Sequence, residues 1–269
     1  MPCNPFDFVT EILGQPASQM INPVNAGYEC PFINSKCIKR SQRLEGPFPV
    51  CTVYRQTKTS REPIIVCPKR FYELDLFNDV MKYAWADYKP SKPEFVHEIR
   101  MGDIGNVDFV VADVAADLKS IQNFISVELQ AVDITGSYEP AYSAIVLSKT
   151  LGKRPTYNFN YANVRKRFVT QLINKGFFHH HWQTKIVAVV QDFIYENIKQ
   201  AIGFSDTAIE ESNILFMQYR LVNSDDGYHL KFKNITGTTH SALMMSALYA
   251  NVPSKEEFCK RILSQISRE

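Results

Sequence analysis

No part of the 269-residue sequence approaches the ~18 consecutive apolar residues of a membrane span, so a transmembrane protein is not expected. The opening Met1-Pro2-Cys3-Asn4-Pro5 lacks a basic region followed by a long apolar run. That argues against an export signal and for a cytoplasmic chain. Internal repeats and low-complexity tracts are missing as well, and 45% apolar residues suffice for a sizeable core, so neither a solenoid nor a disordered chain is expected. Net charge is nearly absent at +2, which by itself excludes no class of partner.

That average hides a segregation along the chain. Lys36 to Arg70 holds nine Lys/Arg against two Glu, and Lys149 to Lys185 holds eight Lys/Arg with no acidic residue. Between them, Glu73 to Glu139 carries thirteen acidic residues against five basic. Carboxylates flanked by positive surface suit a phosphodiesterase, which must hold a divalent cation and neutralise phosphates. Paired C-x-x-C motifs are missing too. Cys30, Cys37, Cys51 and Cys67 are separated by six, thirteen and fifteen residues. In a reducing compartment they are expected as thiols, available for a metal or simply buried. Cys3 and Cys259 lie outside this group and read as ordinary thiols.

Residues 1–70 are rich in Pro, Asn and Cys and poor in helical periodicity, as expected of an irregular lobe stapled by a metal. Apolar residues spaced by three and four predict a helix over Phe71 to Trp85, closed by Pro90 and Pro93. Strands are predicted at Phe95 to Met101, Val107 to Ala112, Phe124 to Thr135 and Ile186 to Gln191, with a helix from Asn163 to Lys175. Asn223 to Gly227 reads as the turn of a hairpin, and Ser254-Lys255-Glu256-Glu257 as a capping box opening a last helix. This order predicts an α/β core on a mixed sheet over residues 71–269, preceded by a small lobe over residues 1–70.

The chemistry centres on Glu128-Leu129-Gln130. Residues two apart on a strand share a face, so Glu128 and Gln130 project together, and Asp108 on the preceding strand faces the same place. Two such carboxylates match the oxygen donors that Mg²⁺ takes. Glu98 is the candidate for a third acid, with Glu94 as its competitor. Arg165, Lys166 and Arg167 form a candidate DNA contact, although adjacent helical residues point about 100° apart and the three cannot share one face. His179-His180-His181 reads as a helix end or loop rather than a metal site.

Asp108 followed by Glu128-x-Gln130 resembles the PD-(D/E)XK nuclease motif with glutamine in place of lysine. Together with Cys30-Pro31-Phe32 through Cys67-Pro68-Lys69-Arg70-Phe71, Asp133-Ile134-Thr135-Gly136, and Asn160 through Arg167, the chain resembles the NotI-type restriction endonucleases over roughly residues 21 to 200. The resemblance implies a restriction-endonuclease-like fold, a mixed central sheet flanked by helices. It also implies a homodimeric type II enzyme that uses Mg²⁺ to cut double-stranded DNA at a short palindromic, GC-rich site, leaving 5′-phosphate ends. Asp108 and Glu128 would hold the Mg²⁺, with Gln130 beside them. Cys30, Cys37, Cys51 and Cys67 would hold a structural iron, with zinc as the alternative. The rival expectations are a non-catalytic DNA-binding protein stabilised by metal and a nuclease of repair or mobile elements.

Overall fold

A computed structural model describes residues 3–56, 60–86, 88–117, 119–249 and 254–266. Six short strands precede the main sheet: β1 (Val9–Ile12), β2 (Gln15–Pro16), β3 (Glu29–Cys30), β4 (Ser35–Lys36), β5 (Val50–Gln56) and β6 (Arg61–Ile65). Four of them form an antiparallel sheet in the order β2-β1-β5-β6, while β3 and β4 pair with each other. The stretch expected to be irregular thus holds two small sheets of short strands joined by loops and turns. Most of its strands are too short to show a period of two, and the first four residues of β5, like all of β1, are buried without alternation.

The predicted helix over residues 71–85 is broken into three pieces. A 3-10 turn spans Pro68–Glu73, α1 spans Leu76–Asp79, and a π-helical turn spans Val80–Ala84. Asp75 restarts the chain as a helix cap, its carboxylate accepting from the Asn78 amide. The main sheet then begins with β7 (Pro93–Arg100), β8 (Asn106–Val114) and β9 (Ile121–Gln130), which are antiparallel to one another. A small hairpin-like pair, β10 (Ile134–Gly136) and β11 (Tyr157–Phe159), encloses α2 (Glu139–Val146). One helical path follows: α3 (Tyr161–Asn163), a π-helical turn over Val164–Val169, and α4 (Thr170–His181). After it come β12 (Lys185–Gln191), α5 (Asp192–Ile202), β13 (Ile214–Ser224), β14 (Gly227–Thr238), α6 (His240–Leu248) and α7 (Lys255–Ile266).

The sheet order is β14-β13-β12-β9-β8-β7. β12 runs parallel to both β9 and β13, and the outer pairs are antiparallel, which gives the mixed sheet expected. Sequence explains the centre. Ile186 to Val190 is an unbroken apolar run with every residue fully buried, as befits a parallel strand covered on both faces. Ile186, Ala188 and Val190 face a cluster with Phe168, Leu172, Ile194 and Ile198, while Val187 and Val189 face one with Leu76, Val80 and Trp85. The β13–β14 hairpin closes from Ser224 to Gly227, and Ser254 caps α7 by accepting from the Glu257 amide at 3.1 Å. Both features follow the sequence expectation.

The small sheet shares its core with the main one. Val9, Ile12, Val50, Val53 and Ile64 belong to the same apolar cluster as α2 and β12. Polar ties reinforce the joint. The Gln191 amide donates to Pro63 O at 2.8 Å and accepts from Ile65 N at 2.9 Å. Arg70, 1% exposed, reaches the fully buried Glu11 of β1, Glu73, and the Tyr228 carbonyl of β14 at 2.6 Å. Among the described residues no helix is long and apolar enough to cross a membrane.

Candidate active site

The three acids at issue lie level across three neighbouring strands. Phe109 pairs with Val127, so Asp108 stands one residue along beside Glu128. His97 pairs with Phe109 and Ile99 with Val107, which sets Glu98 opposite Asp108. Glu98 is exposed and has φ +46°, a left-handed conformation that is uncommon for a residue with a side chain. Glu94 sits farther along β7, paired with Ala112.

Alternation along β9 turns Val127 and Leu129 toward the α1 side, where both are buried, and Glu128 toward α4. There the Lys175 ammonium donates to Glu128 Oε1 and, at 2.6 Å, to Asn106 O at the start of β8. Burial pushes the Glu128 carboxyl up to about 7, against the lowering pull of Lys175, and the neighbouring Asp108 charge adds to the rise. Asp108 is held in turn by the Leu129 amide, which donates to Oδ2 at 2.8 Å. Lys69, bonded to the Tyr72 hydroxyl at 2.6 Å, adds positive charge near Asp108 and Glu98.

Glycine brings α4 close to the sheet. A Cβ on Gly176 would lie 2.7 Å from Ile214 Cδ1, so only glycine allows this approach without a shift. Asn213 fixes the contact by donating to Gly176 O. Lys175, the preceding residue, is thereby pressed toward β8 and β9 and left 2% exposed.

Beyond Glu128, at the end of β9, opens a cleft of about 210 Å³ lined by Gln130, Asp133, Asn163, Arg167 and Gln171 among others. The Gln130 amide donates to Ala131 O. Asp133 anchors the incoming helix: its carbonyl accepts from Asn160 N at 2.7 Å and its carboxylate from the Asn163 amide. Asn160 caps that helix through its side-chain oxygen, bonded to Asn163 N at 3.0 Å. The three basic residues diverge, as adjacent helical positions must. Arg165 reaches Asn197 at 3.4 Å, Lys166 is exposed, and Arg167 lines the cleft. His179 to His181 form the last turn of α4, where His179 is buried and bonded to Thr184 Oγ1 at 2.7 Å.

The cysteines require a correction. Cys30, Cys37, Cys51 and Cys67 are free thiols, the first three buried. Among the described residues no group of three or more His, Cys, Asp or Glu side chains is placed to hold a metal ion. The four-cysteine iron or zinc centre implied by the resemblance is therefore not formed. The surroundings favour the protonated thiol instead of the thiolate that binds metal. Burial pushes Cys30, Cys37 and Cys51 up, and Cys51 Sγ–H donates to Pro49 O at 3.8 Å. Cys30 and Cys37 take part in the apolar cluster with Phe48 and Tyr142.

The family model described as restriction endonuclease NotI matches residues 17–232, most of the chain. The chain belongs to the NotI restriction endonuclease family. Its mixed sheet flanked by helices is accordingly a restriction-endonuclease-like PD-(D/E)XK core, and the chain is an enzyme of the nuclease class, a hydrolase. Membership of the NotI family also implies that it binds DNA. Compared with individual curated proteins, the chain matches none. Sequence reasoning expected Asp108 beside Glu128, as the register has it, but did not single out Lys175, which contacts Glu128. Its only signal was a place four residues after Gln171 and eight after Arg167 on one helical path.

Proposed function

We propose that the chain is a type II site-specific deoxyribonuclease that hydrolyses phosphodiester bonds of double-stranded DNA at a short, GC-rich palindrome, leaving 5′-phosphate ends. The observation that carries this reading is the pairing of Asp108 and Glu128 on one face of adjacent strands, beside a cleft lined by Gln130, Arg167 and Gln171. Two carboxylates fit a hard divalent cation such as Mg²⁺, which takes oxygen ligands and leaves places for water and phosphate. Asp108 and Glu128 would hold it, and when bound it would supply positive charge at the scissile phosphate and acidify water there.

The remaining work falls to the chain's own groups. Gln130 is neutral and can orient water or a phosphate oxygen through hydrogen bonds, but brings no charge. Arg167 brings a guanidinium to the cleft, suited to phosphate, and Lys166 is exposed for backbone contact. Arg165, turned toward Asn197, contributes to the basic field rather than to the cleft. Glu98, level with Asp108, is the third acid of the proposal by register, and would stand near the pair rather than complete a three-ligand group.

A palindrome is matched by two-fold protein symmetry, so the working form is a homodimer. α7 supports this with apolar side chains left exposed at Phe258, Ile262, Leu263 and Ile266. Incubating the protein with plasmid and phage DNA plus Mg²⁺, then sequencing the product ends, tests the reading. Discrete fragments with uniform 5′-phosphate ends are expected; smears, nicks alone, or binding without cleavage would reject it. Light scattering with and without DNA tests the dimer.

A further inference from the structure

Strand β9 offers glutamine where a cation is needed beside the two acids. A buried cation stands opposite it nonetheless. Lys175 is 2% exposed, and a lysine so deeply buried is rare unless it is paired. Its ammonium spans two strands, donating to the Glu128 carboxylate on β9 and to Asn106 O on β8, two residues before Asp108. The helix carrying it is set against the sheet at Gly176, where any larger residue would strike Ile214. A lysine wanted only for solubility or for the surface of α4 would not be placed there, because leaving water is costly for an ammonium.

We infer that Lys175 is the cation of this nuclease site, supplied by helix α4 in place of a lysine on the strand. Lys175 is a positioning residue. It holds the Glu128 carboxylate in one orientation through a charge-assisted bond and offsets the negative charge that Asp108, Glu128 and an arriving phosphate bring together. The inference rests on the nuclease reading above. It adds that Gln130 is tolerated because the positive charge has moved across the site rather than been lost.

Relocating the charge tests this. Cleavage kinetics on supercoiled plasmid with Mg²⁺ would be compared for the wild type, Lys175→Met, Lys175→Arg and the double variant Lys175→Met/Gln130→Lys, with folding checked by circular dichroism. Lys175→Met should lower kcat by about 100-fold with KM changed less than about threefold, the pattern of a lost transition-state interaction. Lys175→Arg should keep a measurable part of the rate. The double variant should recover at least about tenfold over Lys175→Met, since position 130 shares the face of Glu128. A merely structural lysine would give no such recovery, because a charge at position 130 does not refill the space under α4. If Lys175→Met does not fold, Lys175→Gln, which keeps a donor for Asn106 O, takes its place in every comparison. A folded Lys175→Met or Lys175→Gln protein with wild-type kcat, or a double variant no faster than its parent, overturns the inference and leaves the nuclease reading intact. A wild type that cleaves nothing overturns the nuclease reading itself, and this inference with it.

Discussion

Replacing Arg70 by methionine should unfasten the small sheet from the large one. Arg70 is 1% exposed and Glu11 is fully buried; Nε lies 3.1 Å from Glu11 Oε2, Nη2 3.1 Å from Oε1, and Nη2 also 2.6 Å from Tyr228 O. Deleting one partner of a buried pair costs about 3–5 kcal/mol, because the other charge stays buried without compensation. The Tyr228 carbonyl, stripped of its donor, adds roughly 1–3 kcal/mol. A loss of about 4–8 kcal/mol at pH 8 follows, comparable to the whole stability of many domains. The sign of its pH dependence is fixed by Glu11, whose carboxyl is already raised by burial against the pull of Arg70. Without Arg70 it rises further. A group whose folded pKa lies above its unfolded value stabilises when protonated, so the deficit should shrink as pH falls from 8 toward 5. Urea unfolding monitored by circular dichroism would measure it, with Glu11→Leu/Arg70→Met expected to recover at least about half of the loss. A loss below about 1.5 kcal/mol, or one that does not vary with pH, would refute the account of this network.

Further outcomes are expected at and around the site. Glu128→Ala should lose nearly all DNA cleavage in a plasmid assay while Gln130→Glu keeps some, and full cleavage by Glu128→Ala would reject the carboxylate assignment. Gly176→Ala should cost about 1–3 kcal/mol in urea unfolding, since its Cβ would meet Ile214 Cδ1 at 2.7 Å. A neutral result there would mean that the seat of α4 is looser than described. Burial holds the His179 imidazole down at about 3, so the folded chain resists a proton that the unfolded chain accepts below pH ~6.5. Stability should therefore fall with acidity across that window by up to about 1.4 kcal/mol per pH unit, and His179→Gln should flatten the fall in denaturation measured from pH 7 to 4.

Local signals announce the parts of this protein that local physics determines. The Ile186 to Val190 run, the Asn223 to Gly227 turn and the Ser254 cap each reflect their own neighbourhood, and each is found as expected. The two-residue period of β9 likewise put Glu128 and Gln130 on one face, and the β8–β9 register brings Asp108 beside Glu128. Helix α5 carries plain helical spacing at Ile194, Tyr195, Ile198 and Ile202, yet it begins directly after β12 with only Asp192 to mark the change. What the sequence conceals is contact between distant positions. Lys175 meets Glu128 across 47 residues, and Arg70 meets Tyr228 across 158. The cysteine expectation failed for a related reason: a family likeness spoke for residue types at Cys30, Cys37, Cys51 and Cys67, but not for the burial that favours the protonated thiol at Cys30, Cys37 and Cys51.

The π-helical turn at Val164–Val169 makes one part of the molecule adjustable without the rest. A π turn takes up one extra residue within its own wider turn, so a single deletion inside it would restore an ordinary helix while the segments on either side keep their facing. Only the residues of the turn itself, Arg165 and Lys166 among them, would be redistributed around the axis, while Lys175, downstream and wedged beside Gly176, would keep its grip on Glu128. Single-residue insertions and deletions here offer a dial for how the protein meets a nucleic-acid backbone, decoupled from the carboxylate floor beneath it.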